Sequence, residues 1–156
     1  MHEEDFRKIK EVITRLRSDA NAKFVFLVDK NGQQIASHGE MEVDATSLAS
    51  LTAGNVAATD GLARLIGEKE FSILFHEGER DNLHISVVGQ RIILVVVFDE
   101  RSSLGLVRLR VKKASLELVE IFNDMEIQAK QHGAEGGFES PFAEITDDDI
   151  DSLFSD

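Results

Sequence analysis

The seven residues Ile92–Phe98 (IILVVVF) are apolar without a break and too few to make a helix with one buried stripe. A run this short, rich in β-branched residues and bounded by polar positions, reads as a strand covered on both faces. Such a strand belongs in the middle of a sheet. The chain must then supply neighbouring strands and a layer for each face. Phe24–Val28 (FVFLV) reads as a second buried strand, and Asp29-Lys30-Asn31-Gly32 follows it as a hairpin turn, Asn-Gly being a strong short-range hairpin signal. Gln34–Ser37 continues as a weaker strand. Phe71–His76 and the alternating Leu83–Val87 supply two more, with polar turns at Gly78–Asn82 and Gly89-Gln90.

Three helices complete the pattern. Phe6, Ile9, Ile13 and Leu16 recur at helical spacing between about Glu3 and Ser18. A second helix starts at a cap supplied by Asp44 or Thr46, runs to about Ile66 and stops at Gly67. A third spans about Ser103 to Gln128, with Val107, Val111, Ala114, Leu118, Phe122 and Met125 as its buried stripe. The order helix, two strands, helix, three strands, helix, with hairpin joints, predicts an α+β fold on a five-stranded antiparallel sheet. The chain divides into a folded domain over 1–130, a linker over 131–141 centred on Gly133–Gly137, and a tail over 142–156.

Charge separates body from tail. Eight of the 29 acidic residues and none of the 17 Lys and Arg lie between Gly133 and Asp156, so the first 132 residues carry a net charge of only −4 out of −12. This balance opposes nucleic-acid binding and attachment to anionic membranes. No stretch approaches the roughly 18 apolar residues of a membrane span. An acidic Met1–Asp5 with no apolar run behind it argues against a signal peptide, and the expected location is the cytoplasm. With no cysteine there is no disulfide frame and no thiolate metal site.

Enzyme motifs are missing. The chain has no Gly-rich loop ending in Gly-Lys-Ser/Thr, no dinucleotide fingerprint, no metal-binding His-Glu-x-x-His and no Gly-x-Ser-x-Gly elbow. Five histidines are scattered without ligand spacing. His38 near Glu40 and His76 beside Glu77 could form acid–base pairs, but solvated positions explain them as well. The run Asp147–Asp151 lacks the Gly and closing Glu of a calcium loop. The expectation is a non-enzyme with no cofactor and no metal.

Four features remain. In the middle helix Leu48, Leu51, Asn55, Ala58, Leu62 and Leu65 cluster on one side, expected to face the sheet. Nearly opposite lie Ser50, Ala53, Gly54, Ala57 and Gly61, with Arg64 close by. Two glycines inside a helix cost roughly 1 kcal/mol each against alanine, so some contact should offset them. That contact is either a docking protein or a closely packed neighbouring helix, including the twin in a dimer. The third strand, with Phe71, Ile73 and Phe75, is free of charge. As an edge it would pair with its own copy across a two-fold axis; as an interior strand it would not. The basic run Arg108, Arg110, Lys112, Lys113 fits a solvated helix face better than a nucleic-acid site. In the tail, Phe142, Ile145, Ile150, Leu153 and Phe154 fall largely on one side of a short helix among carboxylates, which suits a segment that folds on a partner.

Several stretches together resemble the roadblock family, dimers related to dynein light chains that bind small GTPases. They are Phe26–Gln33 (FLVDKNGQ), Thr46–Ala58 (TSLASLTAGNVAA), Ser103–Arg110 (SLGLVRLR), Ser140–Ile145 (SPFAEI) and Asp147–Asp151 (DDDID). Positions 39–43, 126–139 and the extreme N-terminus depart from the family pattern, and nothing is carried over there.

The resemblance implies a sheet with one helix on one face and two on the other, joined to its copy as a continuous sheet in a homodimer. It implies a GTPase-activating role toward the GTP-bound form of a Ras-like small GTPase in bacterial polarity and motility, concentrated at a cell pole. The helix face with Ala57 and Gly61 would meet the GTPase. Switch loops would be pushed into place without an inserted arginine, although Arg64 keeps an arginine in trans open. The tail would dock on a second surface of the GTPase and favour nucleotide exchange. A roadblock scaffold that binds without stimulating hydrolysis is the alternative.

Overall fold

The structure is a computed structural model that describes residues 2–136, with side-chain surroundings to residue 131. The order is α1 (Glu3–Asp19), β1 (Phe24–Asp29), β2 (Gln34–Gly39), α2 (Ala45–Leu65), β3 (Ile73–Glu77), β4 (Asn82–Val88), β5 (Ile92–Phe98) and α3 (Leu104–Gly136). The strands form one sheet in the order β2-β1-β5-β4-β3, antiparallel at every pairing. The long apolar run is the central strand, and all seven of its residues are buried.

Alternation along β1 and β5 feeds two cores. Val25, Leu27, Leu94, Val96 and Phe98 meet α1 and α3 on one face. Phe24, Phe26, Val28, Ile93, Val95 and Val97 lie on the other, under α2. The sheet therefore has two helices on one side and one on the other, as expected. Burial of each large side chain in these layers contributes about 2 kcal/mol. α1 inserts Ile9, Val12, Ile13 and Leu16; Phe6, expected in this stripe, is exposed at the helix start, and Val12 takes the inward place.

The turn between β1 and β2 is held by the buried Asp29. Its Oδ1 accepts hydrogen bonds from the backbone N–H of Asn31 at 2.9 Å and of Gln33 at 3.0 Å. Gly32 adopts φ 93°, which the turn requires and glycine supplies without strain. At the far end of the same hairpin Gly39 pairs with Phe24 at φ 142°.

α2 begins at Asp44, whose carboxylate accepts from Thr46 N at 3.1 Å and from Ser47 Oγ at 2.8 Å. These bonds, Ser47 foremost, hold its carboxyl below the ordinary aspartate value. The helix closes as a Schellman motif, with Glu68 N donating to Ala63 O at 2.8 Å and Gly67 at φ 88°.

Two sequence expectations need correction. The face of α2 on the sheet is Ala49, Thr52, Val56 and Ala63; of the row expected there, Leu48 packs against this core, partly buried, and Asn55 is half-buried, while the later leucines turn away. Leu51, Leu62 and Leu65 are exposed by 74%, 61% and 83%. Phe24, Phe26 and Val28 already fill the layer from the sheet side, so the helix closes on them through small side chains. Second, α3 continues past Gln128 through 131–136, which reads as linker in the sequence. Each further residue of a helix already formed adds a hydrogen bond at little cost, so Gly133 does not end it.

Candidate functional site

α2 exposes two of its three sides. On one, Ser50, Gly54, Ala57, Gly61 and Arg64 are exposed and Ala53 is half-buried. A Cβ built on Gly54 or Gly61 would have nothing within 4 Å, so these positions open onto free space. Among the described residues, packing inside the chain reaches one end of this face. There the β1–β2 turn abuts it, and a Cβ on Gly32 would lie 3.6 Å from Ser50 Cα and 3.9 Å from Ala53 Cβ. The cost of the two helical glycines is thus not offset by contacts within the described residues. Asp60 and Arg64 are the only charges in this 21-residue helix.

The second open side carries Leu51, Leu62 and Leu65, with Ile66 just beyond. Solvent-facing helix sides ordinarily carry Lys, Glu or Arg. Three exposed leucines there form an apolar ridge that no described residue covers. The signal is visible in sequence as a second apolar row on a helix whose sheet contact needs only one. Spacing alone does not say whether the sheet or another molecule covers it.

This flank adjoins β3, because Asn55 on the same side of α2 approaches His76 of β3, Nδ2 to Nε2 at 3.4 Å. Among the described residues β3 pairs only with β4, so it is the edge strand of this sheet, with its outer N–H and C=O groups unpaired there. Ile73 and Phe75 are exposed large apolar residues on it. The Phe75 ring stacks on Phe98 of β5, centroids 6.2 Å apart and planes 23° apart. Phe71 lies before the strand and is half-buried.

Among the described residues no group of three or more His, Asp and Glu is placed to hold a metal ion. His84 of β4 is buried beneath α3, and among the described residues neither ring nitrogen has a hydrogen-bond partner. Burial first, and then the charge of Arg108, pushes its pKa down. His38 is held down by burial and by Lys10 and Arg17. The tail residues Phe142, Ile145, Ile150, Leu153 and Phe154 lie outside the described residues. No described helix is long and apolar enough to cross a membrane.

A profile of the Roadblock/LC7 domain matches residues 8–98, from α1 through β5. The chain belongs to the Roadblock/LC7 family. Among roadblock structures it is 64% identical to Myxococcus xanthus MglB, with 80% of this chain and 94% of that one covered and a TM-score of 0.76. The gliding protein MglB of Thermus thermophilus is 34% identical over 80% of this chain and 95% of its own, with a TM-score of 0.75. An uncharacterised protein of Methanocaldococcus jannaschii, MJ1340, is 29% identical over 114 residues, 73% of this chain and 99% of that protein. The molecule is thus a roadblock-family regulator similar to MglB, and both open sides of α2 lie within the matched domain.

Proposed function

We propose that this protein is a GTPase-activating protein for a Ras-like small GTPase of the MglA type, acting as a homodimer in bacterial cell polarity and motility. The observation that carries the reading is the pair of open sides on α2, which between them expose one charge, Arg64 in the last turn. One is small and flat, the other ridged with leucine, and they suit two different partners.

The leucine side takes the second copy. It stands next to the open β3 edge, so one two-fold axis would pair α2 with its twin and β3 with its twin, extending the sheet through Ile73 and Phe75. The small side, Ser50, Ala53, Gly54, Ala57 and Gly61, then remains for the GTPase, whose backbone approaches closely because no side chain intervenes. The roadblock chain supplies no phosphate-binding loop of its own. Its action is to hold the GTPase's switch loops in the arrangement that aligns the attacking water, by binding that arrangement better than the alternatives. Arg64, exposed in the last turn of α2, is the one cation of this helix and adjoins this face.

Binding to the GTPase loaded with a non-hydrolysable GTP analogue or with GDP tests the reading. Tighter binding of the GTP-like form, lost in Ala57→Arg, supports it. Equal binding of both forms would favour a scaffold.

A further inference from the structure

α3 carries a second apolar row on the side away from the sheet. Leu109 and Leu116 are 60% and 67% exposed; Ile127 lies further along the same side, beyond the exposed Glu120. About seven residues apart, Leu109 and Leu116 stack two helical turns from one another. Lys112 and Lys113 lie between them in sequence and flank the row on its two sides, with Arg108 adjoining. Among the described residues Arg108, Lys112 and Lys113 form no ion pair, as is true of eight further Lys and Arg, so what distinguishes them is their place beside the apolar row. An exposed apolar ridge bordered by unpaired cations fits an acidic amphipathic segment. The chain contains one, residues 142–154, with five large apolar side chains among carboxylates.

We propose that residues 142–154 dock on α3 in their own chain, over Leu116 and beside Lys112 and Lys113. The reach allows it. Leu116 lies about 30 Å and Leu109 about 40 Å back from Gly136 along the helix, at 1.5 Å per residue. Residues 137–142 span up to about 20 Å when extended. A helix beginning at Phe142 and laid antiparallel on α3 then covers about 18 Å more, which ends it level with Val111 and Lys112. Asp147, Asp148, Asp149 and Asp151 fall beside Lys112, Lys113 and Leu116. The contact is intramolecular, so a segment too weak to fold alone is held at high effective concentration. Docked in this way, the tail is withheld from any other surface until a partner competes for it. The inference does not depend on the GTPase reading and is tested on this chain alone.

The chain has no cysteine, so Ser155→Cys accepts a single spin label. Paramagnetic relaxation of backbone amides in the full-length protein reads the contact. Amides of residues 109–120 are expected to lose most of their intensity at low salt. The effect should shrink as salt screens the charges, and vanish in Leu116→Asp and in the double variant Lys112→Glu, Lys113→Glu while the remaining spectrum stays in place. Broadening no greater than a freely moving tail produces would overturn the proposal. So would broadening that appears only when spin-labelled, isotope-free chains are mixed with unlabelled, isotope-enriched ones, since that contact would join two molecules.

Discussion

Asn55 Nδ2 of α2 lies 3.4 Å from His76 Nε2 of β3, so the helix over one half of the sheet touches the strand at its open edge. Leu51 and Leu62 share this side of α2, four residues before and seven after Asn55. The leucine ridge and the strand edge therefore form one continuous surface.

Charge placed on that surface should separate the subunits without unfolding them. Leu65 is almost wholly exposed in the single chain, so Leu65→Glu removes no contact of the domain itself. In a dimer it would bury an unpaired carboxylate at a cost of several kcal/mol. Sedimentation of Leu65→Glu is expected to give the mass of one chain, with an unchanged circular dichroism spectrum. A variant that keeps twice that mass would remove this surface from the dimer.

The β1–β2 hairpin makes a separate prediction about stability. A Cβ on Gly39 would collide with the carbonyl of Lys23 and lie 2.7 Å from Phe24 Cα, both backbone groups that cannot swing aside. With φ at 142° as well, Gly39→Ala is expected to destabilise the fold by about 2–4 kcal/mol. Urea unfolding measures it, and a loss below about 0.5 kcal/mol would mean that the hairpin yields freely.

His84 predicts a pH dependence. Its folded-state pKa lies below the ordinary histidine value, through burial first and Arg108 second. The unfolded chain therefore binds the proton more readily than the fold does. The contribution of His84 is fully present above about pH 6.5 and is lost as pH falls through the unfolded value toward the folded one. For one proton the slope is at most about 1.4 kcal/mol per pH unit. His84→Leu should flatten that part of the profile when unfolding midpoints are compared at pH 7.5, 6.5 and 5.5. An equal slope in the variant would place the titrating group elsewhere.

Removing residues 138–156 should leave dimerisation intact, because neither β3 nor α2 is touched. GTPase binding or nucleotide exchange is expected to weaken by about tenfold, the equivalent of one lost apolar anchor. Unchanged affinity and unchanged exchange would reduce the tail to a solubilising segment with respect to the GTPase.

The strands were legible because their signals are local. Ile92–Phe98 and Phe24–Val28 have no polar side to expose, and Asn31-Gly32 can hardly be other than a turn. The stripe of α3 from Val107 to Met125 was legible for the same reason, although Phe122 sits only partly buried. The orientation of α2 was not. Helical spacing tells which residues share a side, but not whether the sheet or a second molecule covers it. Leu51, Leu62 and Leu65 look like core by hydrophobicity, yet the bulk in that layer comes from Phe24 and Phe26. The small side with Ala57 and Gly61 was found because side chains are missing where charges ordinarily stand. That β3 is an edge strand required the topology, since Ile73–Glu77 reads the same at an edge as inside a sheet.

GTP hydrolysis by the MglA-type GTPase of the same organism, followed in single turnovers with saturating wild-type protein and with Gly61→Arg, tests the central claim most directly. The account predicts acceleration of at least about tenfold by the wild type, short of the roughly 10³–10⁵ that an inserted arginine supplies. It predicts none by Gly61→Arg, whose dimer mass and circular dichroism are unchanged because position 61 opens onto free space. Full stimulation by the folded variant would contradict the docking face, and no stimulation by a wild type that binds the GTP-loaded form would contradict the activating role itself.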